Sequence, residues 1–174
     1  MSLRVVVVIP TYQEADNIVA FLEAVRRSAP EATIWVVDDN SPDGTGRMAE
    51  EVGERLGQIT VIHRAGKKGL GSAYREGFGK ALDAGFEVIV CMDADFSHDP
   101  AAIPGLLACV EAGADVALGS RYVPGGSTVN WPWHRRALSR WGNRYSAVVL
   151  RLPVRDCTSG FRAYGAHALR AIEP

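Results

Sequence analysis

The sequence predicts an α/β fold, a mostly parallel central sheet with helices on both faces. Three observations predict it. Apolar, β-branched runs alternate with amphipathic ones at roughly 25 to 30 residues per unit, the length of a strand–helix–strand crossover. The strand-like runs are continuously apolar, as in strands buried on both faces. Polar loops follow five successive strands, at the edge where open α/β sheets bind ligands. With 174 residues, 47% of them hydrophobic, the chain is long enough for one domain with a sizeable core.

The elements follow in order. "RVVVVIP" is the first strand, and Asp16 stands where it can cap the helix "NIVAFLEAVRR", which places Ile18, Leu22 and Val25 on one face. "ATIWVVDD" is the second strand, and "TGRMAEEVGERLG" a helix with Met48, Val52 and Leu56 facing in. "QITVIHR" is a third strand, "GSAYREGFGKALDAG" a third helix and "FEVIVCMD" a fourth strand. "PAAIPGLLACVEAG" reads as a helix and "DVALGS" as a strand. After Tyr122 the pattern loosens into the loop "VPGGSTVNWPW". The helix "HRRALSRWGNRYSAVVLRL" carries Arg on several sides, "RDCTSGFRAYG" is a turn and a short strand, and "AHALRAIEP" opens another helix.

Bulk composition narrows the function. The net charge of −1, taken over the whole chain, suggests no attraction to nucleic acid or membrane. The average conceals an asymmetry: residues 1–120 carry 10 Lys+Arg against 18 Asp+Glu, whereas residues 121–174 carry 9 Arg against Asp156 and Glu173 alone. Cys91, Cys109 and Cys157 are odd in number and form no CxxC. With Cys91 and Cys109 in apolar runs, they read as buried free thiols in a reducing compartment. No apolar run reaches the ~18 residues of a membrane span, and "MSLRVVVVIP" is too short for a signal peptide.

The loops carry the chemistry. In "CMDADFSHDP", Asp93 and Asp95 alternate with Ala94, so on an extended backbone both carboxylates point to one side. Two like charges beside a core need compensation, and oxygen ligands of this kind suit Mg²⁺ or Mn²⁺. The plainer alternative is that one Asp caps the helix near Pro100. His98 reads as a loop residue. Asp38 and Asp39 end the second strand; Asn40 and Asp43 serve the turn "NSPDG", and one of the paired Asp residues is left to accept a hydrogen bond from a base. Lys67 and Lys68 read as a solvated loop, with Gly66 and Gly69 permitting close approach of a diphosphate. "GLGSAY" follows the third strand, whereas a dinucleotide fingerprint follows the first, and no Walker A loop is present.

"PTYQEADNI", "VVDDNSPDGTG", "KKGLGSAYREGF", "MDADFSHDP", "GSRYVPGG" and "CTSGFRAY" occur in that order. Together they resemble the inverting family 2 glycosyltransferases of GT-A fold, and more narrowly the dolichyl-phosphate (polyprenyl-phosphate) mannose synthases. The resemblance implies a single GT-A catalytic domain over residues 1–174, lacking C-terminal helices present in relatives. It implies that Pro10, Tyr12, Glu14, Val37 and Asp39 cradle the nucleoside. Asp93, Ala94 and Asp95 would hold the metal and the sugar diphosphate, and Ser97 takes the place of a longer, metal-binding Gln. Arg121 would contact the phosphates, and Arg135 and Ser139 the acceptor phosphate. Asp95, Arg121, Arg135 and Ser139 are then the catalytic candidates.

The expected reaction is transfer of mannose from GDP-mannose to a polyprenyl (dolichyl) monophosphate with inversion. One alternative is a polyprenyl-phosphate glucosyltransferase, or another family 2 transferase using a UDP-sugar. Another is an inactive nucleotide-sugar-binding scaffold. A hydroxyl acceptor needs a base in the second half, so Asp156 discriminates: a base favours such a transferase, a structural acid favours a phosphate acceptor. Trp131, Trp133 and Trp141 among Arg135, Arg136, Arg140, Arg144, Arg151 and Arg155 predict an element lying on an anionic membrane surface. The expected location is cytoplasmic, peripheral on the cytoplasmic face of the membrane.

Overall fold

The computed structural model describes residues 3–123, 132–151, 154 and 156–172, and only the backbone of residues 135 and 136. Four strands, β1 (Val5–Thr11), β2 (Thr33–Asp38), β3 (Ile59–His63) and β4 (Val88–Cys91), run parallel. β6 (Arg162–Gly165) runs antiparallel between β4 and β5 (Val116–Leu118). The sheet order is therefore β3-β2-β1-β4-β6-β5.

Because strand side chains alternate, β1 feeds two cores. Val7 and Ile9 pack with Ile18, Phe21, Leu22 and Val25 of α1 (Ile18–Ser28), with Ala49 and Val52 of α2 (Thr45–Leu56), and with Ile103 and Leu106 of α4 (Ile103–Glu111). Val6 and Val8 face the other way, onto Ala73, Phe78 and Ala81 of α3 (Leu70–Asp83) and Leu169 of α6 (Ala166–Ile172). Met48 and Leu56 pack at the first core's edge, as expected. Helices thus cover both faces.

Some details differ from expectation. Asp16 does not cap α1. Glu14 serves that helix end instead, its carbonyl accepting from the N–H groups of Asn17 and Ile18 and its carboxylate from the Asn17 side chain. Cys91 is buried but Cys109 is exposed. α4 turns Ile103, Leu106, Leu107 and Val110 to the core, and Cys109 falls off that stripe. A short 3-10 turn, Pro100–Ala102, precedes α4.

The final long helix, α5 (Trp133–Val149), packs with its polar side inward. Asn143 is 3% exposed, while Leu138, Trp141, Tyr145, Val148 and Val149 are all exposed. At 3.6 residues per turn those five fall within an arc of about 100°. Trp133 is also exposed, so neither it nor Trp141 belongs to a core. Trp131, Arg155 and the side chains of Arg135 and Arg136 lie outside the described residues.

Candidate active site

The strand order reverses between β1 and β4, and their carboxyl ends open a crevice there. A cavity of ≈ 270 Å³ fills it. Pro10, Tyr12 and Glu14 line it from the end of β1, Asp39 from the end of β2, and Asp93, Ala94 and Asp95 from the end of β4. Lys67, Gly69, Leu70 and Ala73 close it from the loop before α3 and from α3 itself. Of the expected nucleoside residues only Val37 is not among the lining. It is fully buried, packed beneath α3 in the core.

At the β2 end of the cavity, the adjacent carboxylates have separate roles. Asp38 is consumed locally: it accepts from Thr11 Oγ1 at 2.9 Å, Ser41 Oγ at 2.6 Å and the Ser41 N–H at 2.9 Å. Asp39 borders the cavity and is not idle either. Its Oδ1 takes a hydrogen bond from Arg64 Nη1, and its Oδ2 one from the Lys68 N–H. Arg64 is itself buried and anchored by Glu76 and Ser72 of α3. A carboxylate has about four acceptor sites, so Asp39 keeps capacity for a base N–H while Arg64 fixes its plane. Lys67 is not simply solvated: its ammonium lies 3.8 Å from the Tyr12 ring centroid.

At the other end, neither Asp93 nor Asp95 caps the following helix. Asp99 does that, accepting from the Ala101 N–H. Asp95 Oδ1 accepts the Ser97 N–H at 2.9 Å. Burial works against ionisation of Asp95, but the Ser97 hydrogen bonds and nearby His98 hold it below the usual carboxylate range. Asp93 Oδ1 accepts the Tyr74 hydroxyl at 3.0 Å. The Asp93 N–H donates to His98 Nδ1 at 3.3 Å, and the His98 ring stacks on Phe161 at 5.4 Å. Burial holds His98 below its ordinary value against the pull of Asp93 and Asp95, and its Nδ1 lies 3.9 Å from Asp93 Oδ2. Ser97 is exposed and contributes its N–H to Asp95.

Among the described residues, no three His, Cys, Asp or Glu side chains gather into a metal cluster. The cavity offers instead two hard carboxylates, Asp93, tied through Oδ1 to Tyr74, and Asp95, tied to Ser97. That donor set fits Mg²⁺ or Mn²⁺, which keeps waters and phosphate oxygens as its other ligands.

A second polar cluster joins β5, α5 and the segment before β6. Arg121 grips Asp156 with two bonds of 2.7 Å, adds its backbone N–H at 3.2 Å, and reaches Thr158 Oγ1 at 2.8 Å. Asp156 is 1% exposed. Burial pushes its carboxyl upward, and the Arg121 bonds overcome that and hold it below the usual range; the same pairing raises Arg121. Tyr122 donates to Ser139 Oγ at 2.6 Å, and its ring lies 5.8 Å from Arg121 and 5.7 Å from Arg140. Asn143 Nδ2 bonds the Ser139 carbonyl at 2.9 Å. The structure therefore brings Arg121 and Ser139 into one network; the Arg135 side chain is outside the described residues.

Tyr74, Arg64, Tyr122, Asn143 and Thr158 escaped the sequence reading. Arg64 had a signal, since it directly follows a strand at the ligand edge. Tyr74 and Asn143 lie in helices whose pattern reads simply as helix.

Comparison with known proteins places the chain in a family. The family model described as glycosyl transferase family 2 matches residues 6–172. The polyprenol monophosphomannose synthase of Mycolicibacterium smegmatis is 47% identical over 171 residues, covering 98% of this chain and 64% of that protein. The undecaprenyl-phosphate mannosyltransferase of Micrococcus luteus is 46% identical over 171 residues, covering 98% of this chain and 70% of that protein. The dolichol-phosphate mannosyltransferase of Pyrococcus furiosus is 36% identical, with 49% of its length covered. The chain thus spans between about half and 70% of these relatives. Among solved structures, the glucosyl-3-phosphoglycerate synthase of Mycobacterium tuberculosis with Mn²⁺, UDP and glucosyl-3-phosphoglycerate aligns at a TM-score of 0.71 and 17% identity, over 95% of this chain and 58% of that one. The mannosyltransferase PcManGT of Pyrobaculum calidifontis, in complex with GDP-Man and Mn²⁺, aligns at a TM-score of 0.65 and 19% identity, over 99% of this chain and 47% of that one. These two likenesses are of fold.

Proposed function

The chain belongs to glycosyl transferase family 2 and has the GT-A fold, and from that premise we propose that it transfers mannose from GDP-mannose to a polyprenyl monophosphate with inversion. The observation that carries the choice of acceptor is the state of Asp156. It is the one Asp of residues 121–174, and it is buried, ionised and spent on Arg121. A carboxylate held that way orients a guanidinium; it does not collect a proton from a hydroxyl. The names of the relatives at 46–47% identity point the same way.

In this reading the cavity holds the nucleotide. Asp39, steadied by Arg64, accepts from the guanine N–H groups, and Tyr12 with Lys67 packs against the nucleoside and its phosphates. Asp93 and Asp95 would hold Mg²⁺ or Mn²⁺, which when bound neutralises charge on the leaving diphosphate. Arg121, Ser139 and Arg135 hold the acceptor phosphate. That monoester has a second pKa near ~6 and is largely a dianion at neutral pH, so it needs orientation more than a base. One acceptor oxygen forms a bond to C1 as the C1–diphosphate bond breaks, giving β-linked polyprenyl phosphomannose and GDP. Among the described residues no helix is long and apolar enough to cross a membrane. α5 would meet the lipid at the cytoplasmic face of the membrane through its outward apolar stripe, with Arg140 and Arg144 beside it.

Calorimetric titration tests the donor. GDP-mannose is expected to bind in the presence of Mn²⁺ and to lose that binding on chelation. A preference for UDP-glucose would overturn the mannosyl assignment, and binding of neither would overturn the transferase reading.

A further inference from the structure

Both carboxylates at the two ends of the cavity are tied to one helix, α3. Ser72 and Glu76 hold Arg64, and through it Asp39. Between them in sequence, Tyr74 turns to the other end and donates its hydroxyl to Asp93 Oδ1. The phenol has little freedom to do otherwise. Its ring stacks on Phe78 at 5.5 Å, and Phe78 packs on Tyr164 at 5.8 Å. The contact is also selective between the two oxygens of Asp93. Oδ1 is bound to α3, while Oδ2 lies 3.9 Å from His98 Nδ1, beside Gly160, and no hydrogen bond to it is seen among the described residues.

We propose that Tyr74 is a specificity-determining positioning residue: by holding Asp93 Oδ1 it makes Asp93 a one-oxygen ligand and so favours a small octahedral cation over Ca²⁺. The reason is coordination chemistry. Mg²⁺ and, by its size, Mn²⁺ prefer six single oxygen contacts in near-octahedral array. Ca²⁺ is larger, accepts six to eight oxygens and readily takes a carboxylate through both. A carboxylate with one oxygen held by a phenol keeps a lone pair there, but it is less free to turn both oxygens toward one ion. Removing the hydroxyl frees Oδ1 and opens the two-oxygen mode that Ca²⁺ exploits. The inference rests on the reading that Asp93 ligates a cation beside the diphosphate.

The test compares GDP binding by calorimetry at saturating Mn²⁺ and at saturating Ca²⁺, for the parent chain, Tyr74→Phe and Phe78→Leu. In Tyr74→Phe the Mn²⁺-over-Ca²⁺ preference is expected to fall about tenfold, the scale of one hydrogen bond to a charged group. Phe78→Leu loosens the same aromatic stack but leaves the hydroxyl, and its preference is expected to match the parent's. An unchanged ratio in Tyr74→Phe overturns the proposal. So does an equal fall in both variants, because packing would then be the cause. If the parent chain binds GDP identically with Mn²⁺, with Ca²⁺ and with neither, the metal reading itself fails, and this inference with it.

Discussion

Asp156 and Asp39 are each a buried carboxylate tied to an arginine, and in each case the arginine decides what the acid can do. Asp156 gives the clearest consequence for pH. Its folded-state pKa lies below its unfolded value of about 3.9. Its contribution to stability is therefore fully present above pH ~4 and is lost as pH falls through the depressed folded value. Asp156→Asn removes the charge and turns an N–H toward one of the donors of Arg121. At pH 7 the loss is expected to be about 2 kcal/mol, below the 3–5 of a fully buried pair because a quarter of the Arg121 side chain meets water. The gap between variant and parent in thermal or urea unfolding should narrow steadily below pH ~4, where the parent's own carboxyl takes up its proton. A gap of equal size at pH 3 and pH 7 would mean that the ion pair is not what stabilises this corner. The sequence identified Asp156 as decisive but could not name its partner, because a pairing across 35 positions leaves no local trace.

Among the elements, α3 bears most directly on the site, and a glycine sets how close it lies to the sheet. A Cβ on Gly77 would stand 2.5 Å from Val8 Cγ1 and 3.3 Å from Val37 Cγ2. Val8 and Val37 belong to adjacent parallel strands and are fully buried, so neither can move aside cheaply. Gly77→Ala is expected to cost about 1–3 kcal/mol by overpacking, in spite of alanine's better helix propensity. Because α3 carries Ser72, Tyr74 and Glu76, the same displacement should weaken GDP binding several-fold, measured by calorimetry on protein still folded by circular dichroism. A stability gain, as at an exposed helical glycine, would show that the helix sits further from the sheet. This scale also separates what local pattern encodes from what it does not. "RVVVVIP" and "FEVIVCMD" declare buried strands by their own composition. The insertion of β6 between β4 and β5 is a matter of long-range pairing, and nothing within "GFRAYG" announces its neighbours. The Asp16 cap failed for a related reason: Glu14, two residues earlier, already satisfied the helix end.

Across the whole molecule, the charge asymmetry in the sequence becomes a division of space. The acidic first 120 residues supply the cavity at the strand ends, and the basic remainder supplies Arg121, Tyr122, Ser139 and α5. The carboxylate pair and the strand-end loops were legible because chemistry at a sheet edge follows from strand order. The inverted packing of α5 was legible only in part. The Trp and Arg content suggested a surface helix, but that its polar side would face inward depended on Tyr122 and Asn143 bonding Ser139. With Leu138, Trp141, Tyr145, Val148 and Val149 outward, the helix presents a continuous apolar strip, and Trp141 stacks on Tyr145 at 5.6 Å. Such a strip beside Arg140 and Arg144 suits an anionic lipid surface, where apolar burial and charge attraction add. Vesicle flotation should recover the chain with anionic lipid and much less with neutral lipid, and the difference should shrink as salt screens the arginines. Trp141→Ala combined with Tyr145→Ala should lower recovery about tenfold, since each ring contributes on the order of 1 kcal/mol or more of burial. The substitutions touch no residue of the cavity, so GDP binding should be unchanged in the same preparation. Equal flotation with and without anionic lipid, or recovery unaffected by the double substitution, would remove the membrane from the role of α5 while leaving the cavity at the strand ends as described.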